Sequence, residues 1–336
     1  MSLDQRAGDI LSRGWNGEHL EPEECIYLLS FREKTPVANL SVSLADRLTH
    51  SQSGGVGRIT ASIDVSTGPC PRECGFCRWS ESVCMDRFSY IEDSDLSALC
   101  ERAGMFSDVT EIRLSAIDGT PTEDLEHFVS VASASSRKGT SIAIDFGDLG
   151  PDDCVSLRKA GASVAYHSCR IGEGRDTDIK PAVRMSTIAN LCDAGFRVAA
   201  GTEPIGPESS AKEIVDCFFS TLGTGVRHAE VNPRESVPGT RLGDNGNISP
   251  ARLAQIRGVL TLASAWNSQS AAGTGLAEPY ILGKNVAVAA YDMKDWRAQT
   301  EAARRRLFNS GFERILRTDG TAAPLTLSYL RQTGAL

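Results

Sequence analysis

The segment of this chain with the clearest chemical potential is Cys70–Cys77, which carries cysteines at positions 70, 74 and 77. It directly follows an apolar, strand-like stretch at 58–65. Cysteine thiolates hold iron–sulfur clusters, normally four to a cluster, so three on one loop can hold three corners of a cubane and leave one iron open. By analogy with zinc sites, an open metal position is typical of catalysis rather than structure. The spacing therefore predicts a catalytic iron–sulfur site.

Two other interpretations of the cysteines stay open on spacing alone. A zinc site needs a fourth ligand and usually shows paired Cys-x-x-Cys or His-x-His elements, whereas this chain has one Cys-x-x-Cys and no second pair. Free cysteines are also often buried as small apolar side chains. However, buried thiols seldom cluster within eight residues that include Pro, Arg, Glu and Gly, so the iron–sulfur interpretation is favoured.

The overall composition limits the class of protein and its partners. The chain has 336 residues, enough for one large α/β barrel or two small domains. Its net charge of -8 makes nucleic acid an unexpected partner. The polar N-terminus and irregular cysteine spacing outside 70–77 argue against a secreted disulfide framework, and no apolar stretch is long enough to span a bilayer. We therefore expect a cytoplasmic protein that binds neither nucleic acid nor membrane.

Short apolar runs alternate with helical patterns from the cysteines onward. Most of the runs have the Val, Ile and Ala content of buried parallel strands, and they lie at 59–65, 110–114, 141–146, 163–166, 196–200, 226–231, 265–271 and 286–290. Helical patterns begin near Glu92 and Thr120 and cover 181–194, 209–222, 249–264 and 295–309. This alternation predicts a (β/α)8 TIM-type barrel. An open doubly wound sheet is disfavoured because no Gly-x-Gly-x-x-Gly fingerprint follows the first strand.

The first part of the chain has a different pattern. Helical spacing appears at 4–13, 22–31 and 38–51 without any strand. We expect these helices to pack on the outside or the bottom of the barrel. The predicted organisation is an N-terminal helical extension over 1–55, a barrel over 56–310 and a C-terminal extension over 311–336.

The cysteine segment also resembles a known family. The motif is Cys-x-x-x-Cys-x-aromatic-Cys after a first strand, with Pro71 following the first cysteine and Trp79-Ser80-Glu81-Ser82 following the third. This pattern is similar to that of the biotin synthase group of radical S-adenosylmethionine (SAM) enzymes. That group includes biotin synthase, methylornithine synthase and the SAM-dependent maturase of iron-only hydrogenase. The resemblance runs from about residue 20 to 310 and is strongest at the cysteines and at 184–242. It implies a radical SAM barrel with a [4Fe–4S] cluster on Cys70, Cys74 and Cys77, and SAM on the open iron.

The resemblance further implies a set of SAM-binding residues. Arg184 matches an arginine that pairs with the SAM carboxylate, a role for which a guanidinium fork is well suited. Asp118 matches a segment that contacts the SAM amino group, and Glu173 a polar position after the fourth strand. Phe76 in the cysteine segment and Ile205 in the turn after the fifth strand complete the set. An exposed helix arginine and a turn or N-cap aspartate are the alternatives for Arg184 and Asp118.

Departures from the family pattern point to the substrate. Glu203-Pro204 replaces a usual apolar pair, and Arg234 and Glu235 stand where related enzymes have apolar residues. Charges in a barrel mouth indicate a zwitterionic or carboxylated substrate, with a surface ion pair as the alternative. Cys169, at the end of a predicted strand, is a further candidate for substrate or radical chemistry.

The resemblance also indicates which reaction to expect. Biotin synthase holds a second, sulfur-donating cluster on barrel strands, and the matching positions here, near Leu114, Ile144 and Ala199, carry no thiol. We therefore expect reductive cleavage of SAM to methionine and a 5′-deoxyadenosyl radical that acts on a small molecule, in cofactor assembly or amino-acid rearrangement, without sulfur insertion. Flavodoxin or ferredoxin is the implied electron donor. The alternatives are an iron–sulfur electron-transfer or scaffold protein and a zinc hydrolase, the latter disfavoured by the absence of a His-x-His pair.

Overall fold

The computed structural model of the protein describes residues 4–224, 226, 228–264, 270–272, 281–283 and 285–335. Its α-helices are α1 Gln5–Trp15, α2 Pro22–Ser30, α3 Pro36–Ser53, α4 Asp93–Gly104, α5 Thr122–Ser135, α6 Pro151–Ala160, α7 Pro181–Asp193, α8 Ala211–Leu222, α9 Pro250–Ser264, α10 Trp296–Asn309 and α11 Leu327–Gln332. Its strands are β1 Val56–Asp64, β2 Ser66–Thr67, β3 Ser89–Tyr90, β4 Val109–Ser115, β5 Ser141–Asp145, β6 Ala162–Tyr166, β7 Arg197–Ile205, β8 His228–Pro233, β9 Ser270–Ala272, β10 Val286–Ala290, β11 Arg314–Leu316 and β12 Ala322–Pro324.

Eight of these strands form a parallel sheet in barrel order. β10 pairs with β1, and β1 is followed by β4, β5, β6, β7, β8 and β9. A helix lies in each connection from β4 to β8, as parallel neighbours require. Within the described residues no pairing joins β9 to β10. The (β/α)8-type architecture predicted from the alternating pattern is confirmed.

The two faces of the sheet have different chemistry because side chains alternate along a strand. Ile112 and Leu114 of β4 belong to the large apolar core, whereas Arg113 between them lines a polar cavity inside the barrel. Further down, four inward-facing residues form a small apolar cluster of their own, here called the barrel floor: Ala143, Val164, Tyr166 and Ala199. The barrel interior is therefore polar above an apolar floor.

The N-terminal helices pack on the outside of the barrel. They share an apolar cluster with α8, α9 and the outer faces of β7 and β8. Each starts where the sequence favours a start: Asp4 caps α1, and Pro22 and Pro36 occupy the first positions of α2 and α3. None of the described helices is long and apolar enough to cross a membrane.

Two parts of the fold differ from the sequence-based prediction. β7 continues to Ile205, five residues beyond the predicted end, and of these added residues Gly201 and Glu203 line the barrel interior. After α10 the chain adds β11, which pairs in parallel with the start of β1, and β12, which pairs antiparallel with β11. The proposed domain boundaries stay a prediction. Of the predicted strand at 265–271 only 270–271 is described, within β9, while residues 273–275 and Lys284 of the family-like C-terminal segment lie outside the described residues.

Candidate functional site

A polar cavity of about 270 Å³ opens at the carboxyl ends of the strands. Its wall includes the last residues of four strands, namely Asp64, Ser115, Asp145 and Tyr166. In barrels of this type the active site is built at this end, from the loops that follow the strands. The cysteine segment lies in one such loop, bracketed by the short antiparallel pair β2–β3.

The three predicted cluster ligands share this cavity. Cys70, Cys74 and Cys77 all line it. The loop is held in place by its own hydrogen bonds: the Cys77 N–H donates to the Cys74 carbonyl at 3.0 Å, and the Ser80 hydroxyl donates to the same carbonyl at 2.7 Å. The Trp79 N–H points at the Cys77 sulfur, 3.4 Å away. Such N–H···S contacts are among the means by which proteins tune iron–sulfur clusters.

A second set of contacts holds the loop from outside, and we call Asp176 and Arg241 the loop clasp. The Gly75 N–H donates to the Asp176 carbonyl at 2.7 Å, and the Leu242 N–H donates to the Gly75 carbonyl at 2.8 Å. The Arg241 guanidinium donates to the buried Asp176 carboxylate at 2.8 Å. It also packs over Gly75 so closely that a Cβ there would lie 3.0 Å from it. Loops from two other strand ends thus fix the middle of the cysteine segment.

The donor set fits a polynuclear cluster better than a single ion. No group of three His, Cys, Asp or Glu side chains closes around one metal position anywhere in the described part of the chain. Thiols that face one cavity without converging on one point suit a cluster, in which different irons bind different cysteines. Burial raises the pKa of Cys74 to about 12 and also raises the pKa of Cys70. These thiols are poor nucleophiles by themselves, whereas a bound metal would deprotonate them.

Arg184 lies near the start of α7 and reaches the same cavity. It is only 4% exposed, so it is not the exposed helix arginine considered as its alternative. One guanidinium nitrogen donates to Asp148 at 3.1 Å. The Nε atom lies 3.7 Å from a Glu173 carboxylate oxygen, too far for a hydrogen bond, and has no other acceptor. Arg184 therefore places a cation on the cavity wall that also carries the three cysteines, and its role in SAM binding stays a prediction.

Glu173 supports Arg184 rather than lining the cavity. Its buried carboxylate accepts hydrogen bonds from the Arg170 N–H at 2.9 Å and from the Thr177 hydroxyl at 2.7 Å. Neutralisation by Arg184 and these donors lets the carboxylate stay charged in a buried position. The direct contact with SAM suggested by the family pattern is untested.

Asp118 lines the cavity and is tied to the cysteine loop. Its carboxylate accepts a hydrogen bond from Arg72 Nε at 2.9 Å. Helix α5 begins later, at Thr122, with Pro121 as its N-cap residue and no side-chain capping bond. Asp118 is therefore not an N-cap residue, but it does lie in a turn before the helix, as the other half of that alternative has it. Its contact with the SAM amino group stays a prediction.

The two apolar candidates lie in different places. Phe76 lines the cavity beside the cysteines. Ile205 is fully buried at the end of β7, where its carbonyl accepts a hydrogen bond from the Arg234 N–H at 2.8 Å. Its side chain is not part of the cavity wall.

The substrate candidates divide between the cavity and its surroundings. Glu203 lines the cavity, where it accepts a hydrogen bond from Asn232 at 2.8 Å. Arg234 and Glu235 do not line it. Arg234 is buried and donates to Glu208 at 2.9 Å, whereas Glu235 is exposed, so the expected charged pair in the barrel mouth does not form. The sequence could not anticipate that the Glu208 carboxylate would be the partner.

Cys169 also lies outside the cavity wall. Its thiol points at the Pro181 carbonyl, 3.9 Å away, and burial raises its pKa. A role in substrate or radical chemistry stays a prediction without support from this geometry.

Two of the three strand positions expected to match the ligands of a sulfur-donating cluster lie on the other face of the sheet. Leu114 and Ile144 pack in the core outside the sheet, and only Ala199 of the three faces the interior. A shift of one residue along a strand exchanges its two faces. The neighbours that do face the cavity are Ser115 and Asp145, which are not thiols either. Among the described residues of the wall, the only cysteines are the three of the loop.

The sequence-based prediction missed the charged residues inside the barrel. They come from β4, β5, β8 and the loop after β6, and they are Arg113, Asp145, Arg170 and Glu230, with the neutral amide of Asn232 beside Glu230. Burial raises the pKa of Asp145, and the charge of Arg113, 3.9 Å away, opposes that shift. Polar residues at alternate positions of otherwise apolar strands were the available signal.

Comparison with known proteins finds similar sequences and similar folds. No family model matches the chain. It is 21% identical over 241 residues to biotin synthase from Geobacillus kaustophilus, an alignment that covers 70% of this chain and 72% of that protein. Among solved structures, methylornithine synthase (PylB) superposes with a TM-score of 0.75 at 14% identity and covers 92% of this chain and 98% of that one. HydG, a maturase of the FeFe-hydrogenase, superposes with a TM-score of 0.72 at 12% identity, covering 86% and 68%.

These similarities agree with the site. The sequence similarity covers about two thirds of the chain or more, and the structural neighbours share the barrel architecture. The resemblance found in the cysteine spacing is thereby confirmed: the chain is similar in sequence to biotin synthase and in fold to methylornithine synthase and HydG.

Proposed function

We propose that this chain is a radical SAM enzyme that acts on a small molecule without inserting sulfur. A [4Fe–4S] cluster on Cys70, Cys74 and Cys77 would supply the electron that cleaves SAM and so provide a 5′-deoxyadenosyl radical. One observation carries the proposal: the three thiols and the buried Arg184 line a single cavity at the carboxyl ends of the strands. A site of this kind needs ligands for the cluster and a cation for the carboxylate of SAM, and both are present.

The chain's own residues have separate tasks in this proposal. Arg184 binds the SAM carboxylate through its guanidinium group, which Glu173 and Asp148 hold in position. Phe76 and Asp118 flank the same space, with Asp118 also anchoring the loop through Arg72. The enclosing barrel restricts access of water to the reacting groups.

The kind of reaction is a finer proposal. The three loop cysteines are the only thiols among the described residues of the wall, so nothing there offers ligands for a sulfur-donating second cluster. Two structural neighbours, a methylornithine synthase and a hydrogenase maturase, support a step in amino-acid rearrangement or cofactor assembly. We propose flavodoxin or ferredoxin as the electron donor. The second candidate is an iron–sulfur electron-transfer or scaffold protein without SAM cleavage.

The test is anaerobic reconstitution with iron and sulfide, followed by addition of dithionite and SAM. We expect a brown protein with about four irons per chain and the formation of 5′-deoxyadenosine and methionine, measured by chromatography and mass spectrometry. A colourless zinc protein would contradict the cluster. A cluster whose electron paramagnetic resonance signal does not respond to SAM, and which forms no 5′-deoxyadenosine, would favour the electron-transfer alternative.

The loop clasp leads to a further prediction. Replacing Arg241 with glutamine removes one of the two guanidinium groups that hold Asp176, and it is the one that also packs over Gly75. Because outer partners of metal ligands typically contribute 10–100-fold to metal affinity, we expect iron to pass to a chelator roughly ten times faster. The measurement is the rate of colour formation with an iron chelator under anaerobic conditions. Arg297→Gln, on the exposed outer helix α10, is the matched control, and equal rates in both variants would contradict the role of the clasp.

A further inference from the structure

A second cavity, of about 240 Å³, lies at the amino ends of the strands, on the far side of the barrel floor from the cysteines. Its wall carries three arginines, Arg58 of β1, Arg197 of β7 and Arg317 of the turn between β11 and β12, and we call it the lower cavity. It shares only Tyr166 and Ala199 of the barrel floor with the cavity of the cysteines. The floor therefore separates any ligand of the lower cavity from the cysteine loop.

Packing of the barrel does not account for the arginines of this layer. The interior of a (β/α)8 barrel is ordinarily filled by layers of bulky apolar side chains. Here alternate residues of β1 face inwards, and Arg58 and Thr60 reach the lower cavity. Their neighbours Ile59 and Ala61 belong to the apolar core outside the sheet. The lowest layer of this barrel is thus polar, and it encloses space instead of filling it.

One acidic side chain, that of Glu111, lies among the described residues of this wall, and it already has its partners. One carboxylate oxygen accepts hydrogen bonds from the Thr60 hydroxyl at 3.1 Å and from the Tyr166 hydroxyl at 2.8 Å. The other oxygen accepts a long hydrogen bond of 3.5 Å from the Arg197 guanidinium. Glu111 therefore offsets one of the three arginine charges, and two remain.

Arg58 and Arg317 are the two arginines without such a partner. Among the described residues neither guanidinium takes part in an ion pair or a hydrogen bond, and Arg317 Nε is buried without an acceptor. Asp319 follows in the same turn, and its pKa is lowered by hydrogen bonds from the Thr321 hydroxyl and N–H and, to a smaller extent, by the charge of Arg317. Asp319 is exposed and lies outside the cavity wall, where solvent screens its charge. The donors of Arg58 and Arg317 are thus available to a ligand.

We propose that the lower cavity binds a phosphate group, as the free ion or as the end of a small monoester, between Arg58 and Arg317. Two guanidinium groups without partners match the two negative charges of a phosphate, and each fork can donate two parallel hydrogen bonds to its oxygens. A monocarboxylate would leave one of the two guanidinium groups without a partner. The cavity is somewhat smaller than pockets that hold drug-sized ligands, which suits a phosphate with few further atoms. This inference goes beyond the proposed function and does not depend on it.

The test is isothermal titration calorimetry on the full-length, cluster-loaded protein in Tris chloride at about pH 8, where a phosphate monoester carries two charges. The probes are inorganic phosphate, methyl phosphate and acetate. We expect inorganic phosphate to bind at a single site per chain, about tenfold or more tightly than acetate. Equally tight binding of methyl phosphate would identify a site for monoesters, whereas binding of inorganic phosphate alone would identify a site for the free ion. The inference is wrong if neither phosphate binds more tightly than acetate.

Two variants locate the phosphate, namely Arg58→Gln and Arg317→Gln. Each is expected to weaken phosphate binding by about tenfold or more, because each removes a charged donor. Arg297→Gln, on the exposed outer helix α10 and outside the cavity wall, is the control for the loss of one surface charge. Circular dichroism verifies folding, and since the two arginines lie on separate elements, either variant tests the site without the other. Phosphate affinity in both variants equal to that of Arg297→Gln would overturn the assignment.

Discussion

Replacing Cys74 with alanine is expected to abolish both cluster binding and 5′-deoxyadenosine formation. Cys74 is the most deeply buried of the three cavity thiols, and its carbonyl accepts hydrogen bonds from the Cys77 N–H and the Ser80 hydroxyl. Its sulfur is thus fixed by the fold of the loop itself. With two thiolates left on the loop, a cubane would have two open corners instead of one, and no other thiol lines the described wall to replace it.

The matched control is Cys192→Ala. Cys192 lies on the outer helix α7, is partly exposed and does not line the cavity. We expect it to retain its iron, sulfide and visible absorbance within error, and to form 5′-deoxyadenosine at the wild-type rate. Iron and sulfide analysis of both variants after reconstitution is the direct measurement. A Cys74→Ala protein that still holds four irons and forms 5′-deoxyadenosine would overturn the ligand assignment.

The cysteines and the barrel could be read from the sequence because both depend on local patterns. Three thiols on a short loop are set by the chemistry of the cluster, and short Val-, Ile- and Ala-rich runs are set by burial on both faces of a parallel sheet. Helix α6 escaped prediction because it buries a narrow apolar face: of its ten residues only Cys154 and Leu157 are buried. The pairing of β11 with β1 escaped because its partners lie more than 250 residues apart in the chain.

The interior of the barrel was less predictable because it depends on register. Leu114 and Ile144 were assigned to the inner face, whereas their neighbours Ser115 and Asp145 occupy it. A single-residue error of this kind turns a charged interior into an apolar one. The partner of Arg234 was likewise set by the three-dimensional arrangement of two loops, which brings Glu208 to it. Neither feature leaves a periodic mark in the sequence.

Arg184→Gln is expected to weaken SAM binding by about a hundredfold while leaving the cluster in place. A charged hydrogen bond contributes about 1.5–3 kcal/mol, and a guanidinium fork can make two of them with a carboxylate. Glutamine keeps a donor and much of the side-chain volume but removes the charge. It also leaves Glu173 without its cation at 3.7 Å and Asp148 without its 3.1 Å donor, so some loss of stability is expected as well.

Two measurements distinguish the binding role from a structural one. Iron content and the visible spectrum should equal those of wild type, because Arg184 touches none of the three cysteines through a hydrogen bond or ion pair. The dissociation constant for SAM should then rise while the cluster is unchanged. It is measured by calorimetry or by titration of the cluster's paramagnetic signal. Arg184→Lys, which retains the charge without the fork, should recover part of the affinity. Unchanged SAM binding in Arg184→Gln, with a normal cluster, would favour the electron-transfer alternative, because a protein that only carries electrons has no need of a cation at this point of its cavity.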